Sequence, residues 1–183
     1  KGMKQIWIFL LLAAAMFPRA EAEIRRYTDT ASLKKSGVTW YAATGHTFQP
    51  EVSTEVKTPD GENSLALKIV QSPADGKSFG KQVNFLHKGV VGKGWKYRIS
   101  FFYKGSVPGS ISYVAARQYP PYSAIGKRTG RTLKVTTGWQ KEVREFTVED
   151  EAGAPLAFPR FMVGLYPGGG TIYLGPVTVE RLD

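Results

Sequence analysis

The segment Gln118-Tyr119-Pro120-Pro121-Tyr122 sets two tyrosines on either side of a proline pair. Proline fixes its own φ near about −65°, so the rings beside it lose little freedom when they are held in one place. A phenol ring carries a flat apolar face and a polar tip, the combination that stacks on a ring-shaped ligand while hydrogen bonding at its edge. Forked donors and amides of the right length also occur along the chain: Arg98, Arg117, Arg160, Gln82 and Asn84. Such groups satisfy the hydroxyls of a sugar, whose ring face lies against the aromatic. Trp40, Phe79, Phe102 and Tyr166 add further rings that fall in loops or on polar strand faces, where an apolar ring is costly unless used or covered. The plainer alternative for Tyr119 and Tyr122 is that they close one end of the fold.

Bond-cleaving chemistry is poorly supplied. His46 and His87 stand alone, without the spacing that would put two imidazoles on one metal or one beside a nucleophile. Glu149-Asp150-Glu151 is a run of carboxylates, but consecutive residues at a strand end point in different directions, so the run reads as a solvated turn, with calcium coordination as the alternative. The chain has no cysteine, which excludes disulfide staples, thiolate zinc sites, a cysteine nucleophile and a lipid-modified N-terminal cysteine. No catalytic residue, resident metal or organic cofactor is expected.

The elements that position these groups are strands. Apolar, β-branched and aromatic residues alternate between Gly, Pro, Asn and Asp punctuation, and no stretch after the first twenty residues keeps helical spacing for three turns. The pattern predicts strands at Val38–Thr44, Thr47–Val56, Ser64–Gln71, Lys81–His87, Trp95–Lys104, Ser110–Gln118, Thr132–Thr136, Gln140–Glu149, Pro159–Tyr166 and Thr171–Glu180. About ten short strands with close turns and no intervening helix indicate an all-β, two-sheet antiparallel sandwich of jelly-roll type. Alternation then assigns Tyr97, Ile99, Phe101 and Tyr103, Phe161, Val163 and Leu165, and Val83 and Phe85 to the core. It leaves Arg98, Phe102, Arg160, Tyr166, Gln82 and Asn84 on the solvent side.

Lys4, the apolar run Ile6–Phe17 and the pattern Ala20-Glu21-Ala22 read as a secretory signal over residues 1–22, with Lys1-Gly2 extraneous. The run is 12 residues long, against roughly 20 for a membrane span. A secreted or periplasmic location follows, with one domain over residues 23–183. Removing Lys1, Lys4, Arg19 and Glu21 takes the net charge from +10 to about +8, which favours acidic ligands such as uronic-acid polymers. The basic residues are scattered rather than arrayed as a nucleic-acid arm.

Four stretches resemble a known family. Asn63-Ser64-Leu65-Ala66-Leu67-Lys68-Ile69 after an Asp-Gly turn, Gly94-Trp95-Lys96-Tyr97-Arg98-Ile99-Ser100-Phe101, Thr137-Gly138-Trp139-Gln140-Lys141 and Gly170-Thr171-Ile172-Tyr173-Leu174-Gly175-Pro176-Val177-Thr178-Val179 are similar to core segments of the non-catalytic carbohydrate-binding modules of cellulases, xylanases and related glycosidases. The resemblance runs from about Trp40 to the C-terminus. It implies the galactose-binding-like jelly roll, non-catalytic binding of polysaccharide or oligosaccharide, and a glycoside hydrolase acting on the same glycan as partner. The family's last strand often carries an acidic pair where this chain has Gly175-Pro176, which counts against the structural calcium such a pair would hold. Two other functions fit a jelly roll: an exported envelope or adhesion domain that binds a protein, and a small glycan lyase or hydrolase.

Overall fold

The computed structural model describes residues 22–42, 48–69, 81–120, 122–126, 128–153, 155–163 and 169–183. Residues 1–21 of the expected signal segment and Leu165 lie outside them. Twelve strands and one short helix follow in order: β1 (Glu23–Arg25), α1 (Ser32–Lys35), β2 (Val38–Ala42), β3 (Phe48–Lys57), β4 (Asn63–Ile69), β5 (Lys81–His87), β6 (Lys96–Gly105), β7 (Gly109–Arg117), β8 (Arg131–Val135), β9 (Gln140–Thr147), β10 (Leu156–Val163), β11 (Gly170–Leu174) and β12 (Val177–Arg181). Among these residues no helix is long and apolar enough to cross a membrane.

The strands form two antiparallel sheets. The first has seven strands, β1-β12-β6-β11-β4-β3 with β9 paired to β6, and the second has five in the order β2-β5-β10-β7-β8. The all-β sandwich read from the sequence is the fold observed. The expected strand Thr171–Glu180 is two, β11 and β12, which run end to end along one edge of β6. The break falls at Gly175, where an added Cβ would come within 2.8 Å of the Thr58 methyl and 3.1 Å of the Phe102 Cβ. Pro176 beside it has no N–H to give the ladder. The sequence reading missed β1 and α1, which at 3 and 4 residues are too short to show a period.

The inward faces of the sheets meet in an aromatic core. Phe101 of β6 packs edge-on against Phe161 of β10 (5.0 Å, 88°) and against Tyr113 of β7 (5.5 Å, 89°), and Phe161 meets Phe85 of β5 at 5.6 Å. Near-perpendicular rings at these distances are the favoured electrostatic arrangement. Each fully buried ring contributes roughly 1.5–3 kcal/mol by leaving water. With Val83, Phe85, Phe161 and Val163 held inward, the pleat obliges Gln82, Asn84, Arg160 and Met162 to face the other way.

A bulge in β10 makes that assignment work along the whole strand. From Ala157 to Arg160 the strand advances three residues, while its neighbours advance two, from Leu86 to Asn84 and from Ala116 to Val114. The extra residue reverses the alternation. Leu156 and Phe158 therefore point into the core before it, and Phe161 and Val163 do so after it.

Candidate functional site

The outward face of the five-stranded sheet carries a cleft of about 530 Å³ lined by Tyr41, Gln82, Asn84, Gln118, Tyr119, Tyr122 and Arg160. Its floor is built by register. Tyr41 of β2 lies opposite Gln82 of β5, and Gln82 lies opposite Met162 of β10. One step along, Thr39, Asn84, Arg160 and Val114 form a second row across four strands.

Arg160 is the centre of the floor. It is only 7% exposed, and three neutral acceptors hold its guanidinium: Nε donates to Asn84 Oδ1 at 2.9 Å, Nη2 to the Arg117 carbonyl at 3.0 Å and Nη1 to the Tyr122 carbonyl at 3.4 Å. Its plane also lies 5.9 Å from the centre of the Tyr122 ring. Burial draws the guanidinium pKa below its ordinary value, while the Tyr122 phenol acts in the opposite direction. Among the described residues no carboxylate pairs with it.

The loop after β7 forms one wall. Tyr122 N–H donates to the Tyr119 carbonyl at 2.9 Å, closing a turn, and Tyr122 takes a left-handed backbone (φ 54°) uncommon for a residue with a side chain. The chain then runs back beside β7, with Arg117 N–H to the Ser123 carbonyl at 3.0 Å and an Ala116–Ala124 bridge. Tyr119 is 63% exposed, Tyr122 55% and, across the cleft, Tyr41 55%. The rings are thus held by backbone hydrogen bonds yet remain open to solvent.

Six of the expected binding residues meet at this cleft: Tyr119, Tyr122, Gln82, Asn84 and Arg160 through their side chains, Arg117 through its carbonyl. The Arg117 guanidinium is turned to Ser123 and the Glu151 carbonyl. Trp40 packs partly against the core with Lys34 over its ring at 5.2 Å; its neighbour Tyr41 takes the place in the cleft. Phe102 and Arg98 are on β6, in the other sheet, and so lie on the opposite side of the molecule. There Lys141 covers Phe102 at 5.0 Å and Arg98 pairs with Glu145 and Glu180. Phe79, Tyr166 and His46 lie outside the described residues. Tyr41 and Gln118 were missed, although alternation from buried Val38 through Trp40 turns Tyr41 outward.

Among the described residues neither histidine nor carboxylate lines the cleft. His87 Nδ1 meets Glu23 at 3.2 Å, at the sheet edge. The buried Glu142 accepts from the Tyr113 hydroxyl at 2.7 Å between the sheets and pairs with Arg131. Among the described residues no three His, Asp or Glu side chains converge to hold a metal, and Glu149, Asp150 and Glu151 are exposed in a loop, so the donor set for a structural calcium is not met there.

No family model and no curated protein matches the chain in sequence. Solved structures do match in shape. One reported as a CBM4 shares 22% identity at a TM-score of 0.61, covering 79% of this chain and 86% of its own. The N-terminal cellulose-binding domain of Cellulomonas fimi β-1,4-glucanase C matches at 14% identity and 0.56, covering 80% and 90%. A family 11 carbohydrate-binding module from Clostridium thermocellum, in complex with a β-1,3-1,4-mixed-linked tetrasaccharide, matches at 14% and 0.56, covering 86% and 95%. At such identities the likeness is one of fold, and the fold of this chain is the β-sandwich jelly roll it shares with these carbohydrate-binding modules.

Proposed function

We propose that the chain binds a polysaccharide or oligosaccharide in the cleft on its five-stranded sheet, without cleaving it. The observation that carries this reading is the composition of the cleft: three exposed tyrosines, Tyr41, Tyr119 and Tyr122, around a floor of Gln82, Asn84 and Arg160. Stacking on the rings supplies apolar contact, and the amides and guanidinium exchange water for sugar hydroxyls. The volume falls within the roughly 300–1,000 Å³ typical of small-molecule sites, enough for a short stretch of glycan. Glycoside hydrolysis ordinarily needs a pair of carboxylates about the scissile bond, and the described lining is made of other groups, which favours binding over cleavage.

The glucanase-borne and tetrasaccharide-bound neighbours support the same reading and suggest a glycoside hydrolase acting on the same glycan as the functional partner. Export to the envelope or beyond agrees with the N-terminal segment read as a secretory signal. Affinity electrophoresis of residues 23–183 through gels containing single polysaccharides tests the reading. Retardation by one polymer, lost in Tyr119→Ala and in Tyr41→Ala, is the expected result; equal mobility in every gel would sink it.

A further inference from the structure

We infer that the ligand carries a ring-borne oxyanion, the carboxylate of a uronic-acid unit, and that Arg160 is the residue that receives it; this rests on the cleft being the glycan site. Arg160 is a buried cation whose described partners are all neutral: an amide oxygen and two backbone carbonyls. Such acceptors satisfy N–H groups but leave the charge itself without a counter-ion, and a buried charge without one is costly. Two of the five N–H groups, one on each terminal nitrogen, have no described acceptor. A carboxylate takes such a pair bidentately, and the water-poor floor strengthens the contact.

The surroundings suit an acid and not merely a hydroxyl. Among the described residues the cleft lining contains no carboxylate that would repel one. Asn84 fixes Nε, and the Tyr122 ring lies against the guanidinium, so the fork is oriented before the ligand arrives. Gln82 and Gln118 flank it with amide donors for the neighbouring hydroxyls. A neutral sugar would accept the same hydrogen bonds and leave the charge as it was.

The test compares polygalacturonate and alginate with fully methyl-esterified pectin, hydroxyethylcellulose and dextran sulfate in affinity gels, followed by calorimetry with the corresponding oligosaccharides. At about 0.3 M salt, where exposed charges are largely screened, a uronate should bind at least tenfold more tightly than its methyl ester, and Arg160→Gln should reduce uronate affinity to that of the ester. Dextran sulfate should lose its hold as salt rises. Because Arg160→Gln risks misfolding, the acid-against-ester comparison on the unaltered protein decides alone. Equal binding of ester and acid, or of hydroxyethylcellulose and acid, overturns the carboxylate while leaving a glycan cleft. Dextran sulfate bound at 0.3 M salt without any uronate overturns it in favour of a sulfate ester. No binding by any polymer overturns the glycan reading itself.

Discussion

Arg160 Nε donates to Asn84 Oδ1 at 2.9 Å, directly across the β5–β10 ladder and beneath the open cleft. The pair links the sheet's internal order to the chemistry it presents. Asn84→Leu strands a buried donor and should cost roughly 1–3 kcal/mol of stability in urea unfolding. Asn84→Asp supplies the missing counter-charge from within. It should leave the fold at least as stable and reduce uronate affinity tenfold or more, read by calorimetry.

Trp40 and Tyr41 are adjacent and should separate stability from binding. Tyr41→Ala removes an exposed ring, so unfolding should stay within about 0.5 kcal/mol of the parent while glycan affinity falls severalfold. Trp40→Ala removes a ring packed against the core, and it should cost roughly 2 kcal/mol or more with little change in affinity at temperatures where the protein is folded. Similar effects of both substitutions on affinity would place the site elsewhere.

Phe102 lies on the opposite sheet with Lys141 over its ring. Phe102→Ala should therefore migrate as the parent does in every polysaccharide gel. A retardation lost in this variant would point to the seven-stranded face as the binding surface.

Stability should fall in alkali. Burial raises the Tyr97 hydroxyl from the usual 10.0 to about 12, and it drives Tyr113 and Tyr27 upward as well. A phenol that keeps its proton more tightly in the folded state adds stability that is complete below pH 10 and is lost as pH rises through about 12. For Tyr97 alone the loss is on the order of 2 kcal/mol. Urea midpoints between pH 8 and 11.5 should decline above pH 10, and Tyr97→Phe should flatten the decline.

The core was legible because alternation in Lys96–Gly105 and Lys81–His87 depends only on the chain's own pleat: Tyr97, Ile99, Phe101, Val83 and Phe85 are all buried as read. Sheet membership is a different matter. Alternation correctly turned Phe102 and Arg98 away from the core, but which sheet a strand joins is decided by pairing between distant segments, and β6 joined the sheet opposite β5 and β10. Gln118 and the meeting of Tyr41 with Tyr119 depend on the same long-range pairing. Leu156–Phe158 escaped notice as the first part of β10 because Pro159 reads as a strand boundary.

The bulge in β10 gives the cleft an unusual genetic logic. Substitutions at 160 alter what the cleft offers while Phe161 and Val163 stay in the sandwich, so ligand preference can change by point mutation without turning the core residues outward. Loss of one codon between Ala157 and Arg160 would remove the bulge and leave Arg160 opposite Asn84, whereas loss of the Phe161 codon, in the regular ladder beyond it, would turn Met162 inward and Val163 outward. Beyond the bulge, then, specificity is free to evolve by changes of letter and is closed to changes of length.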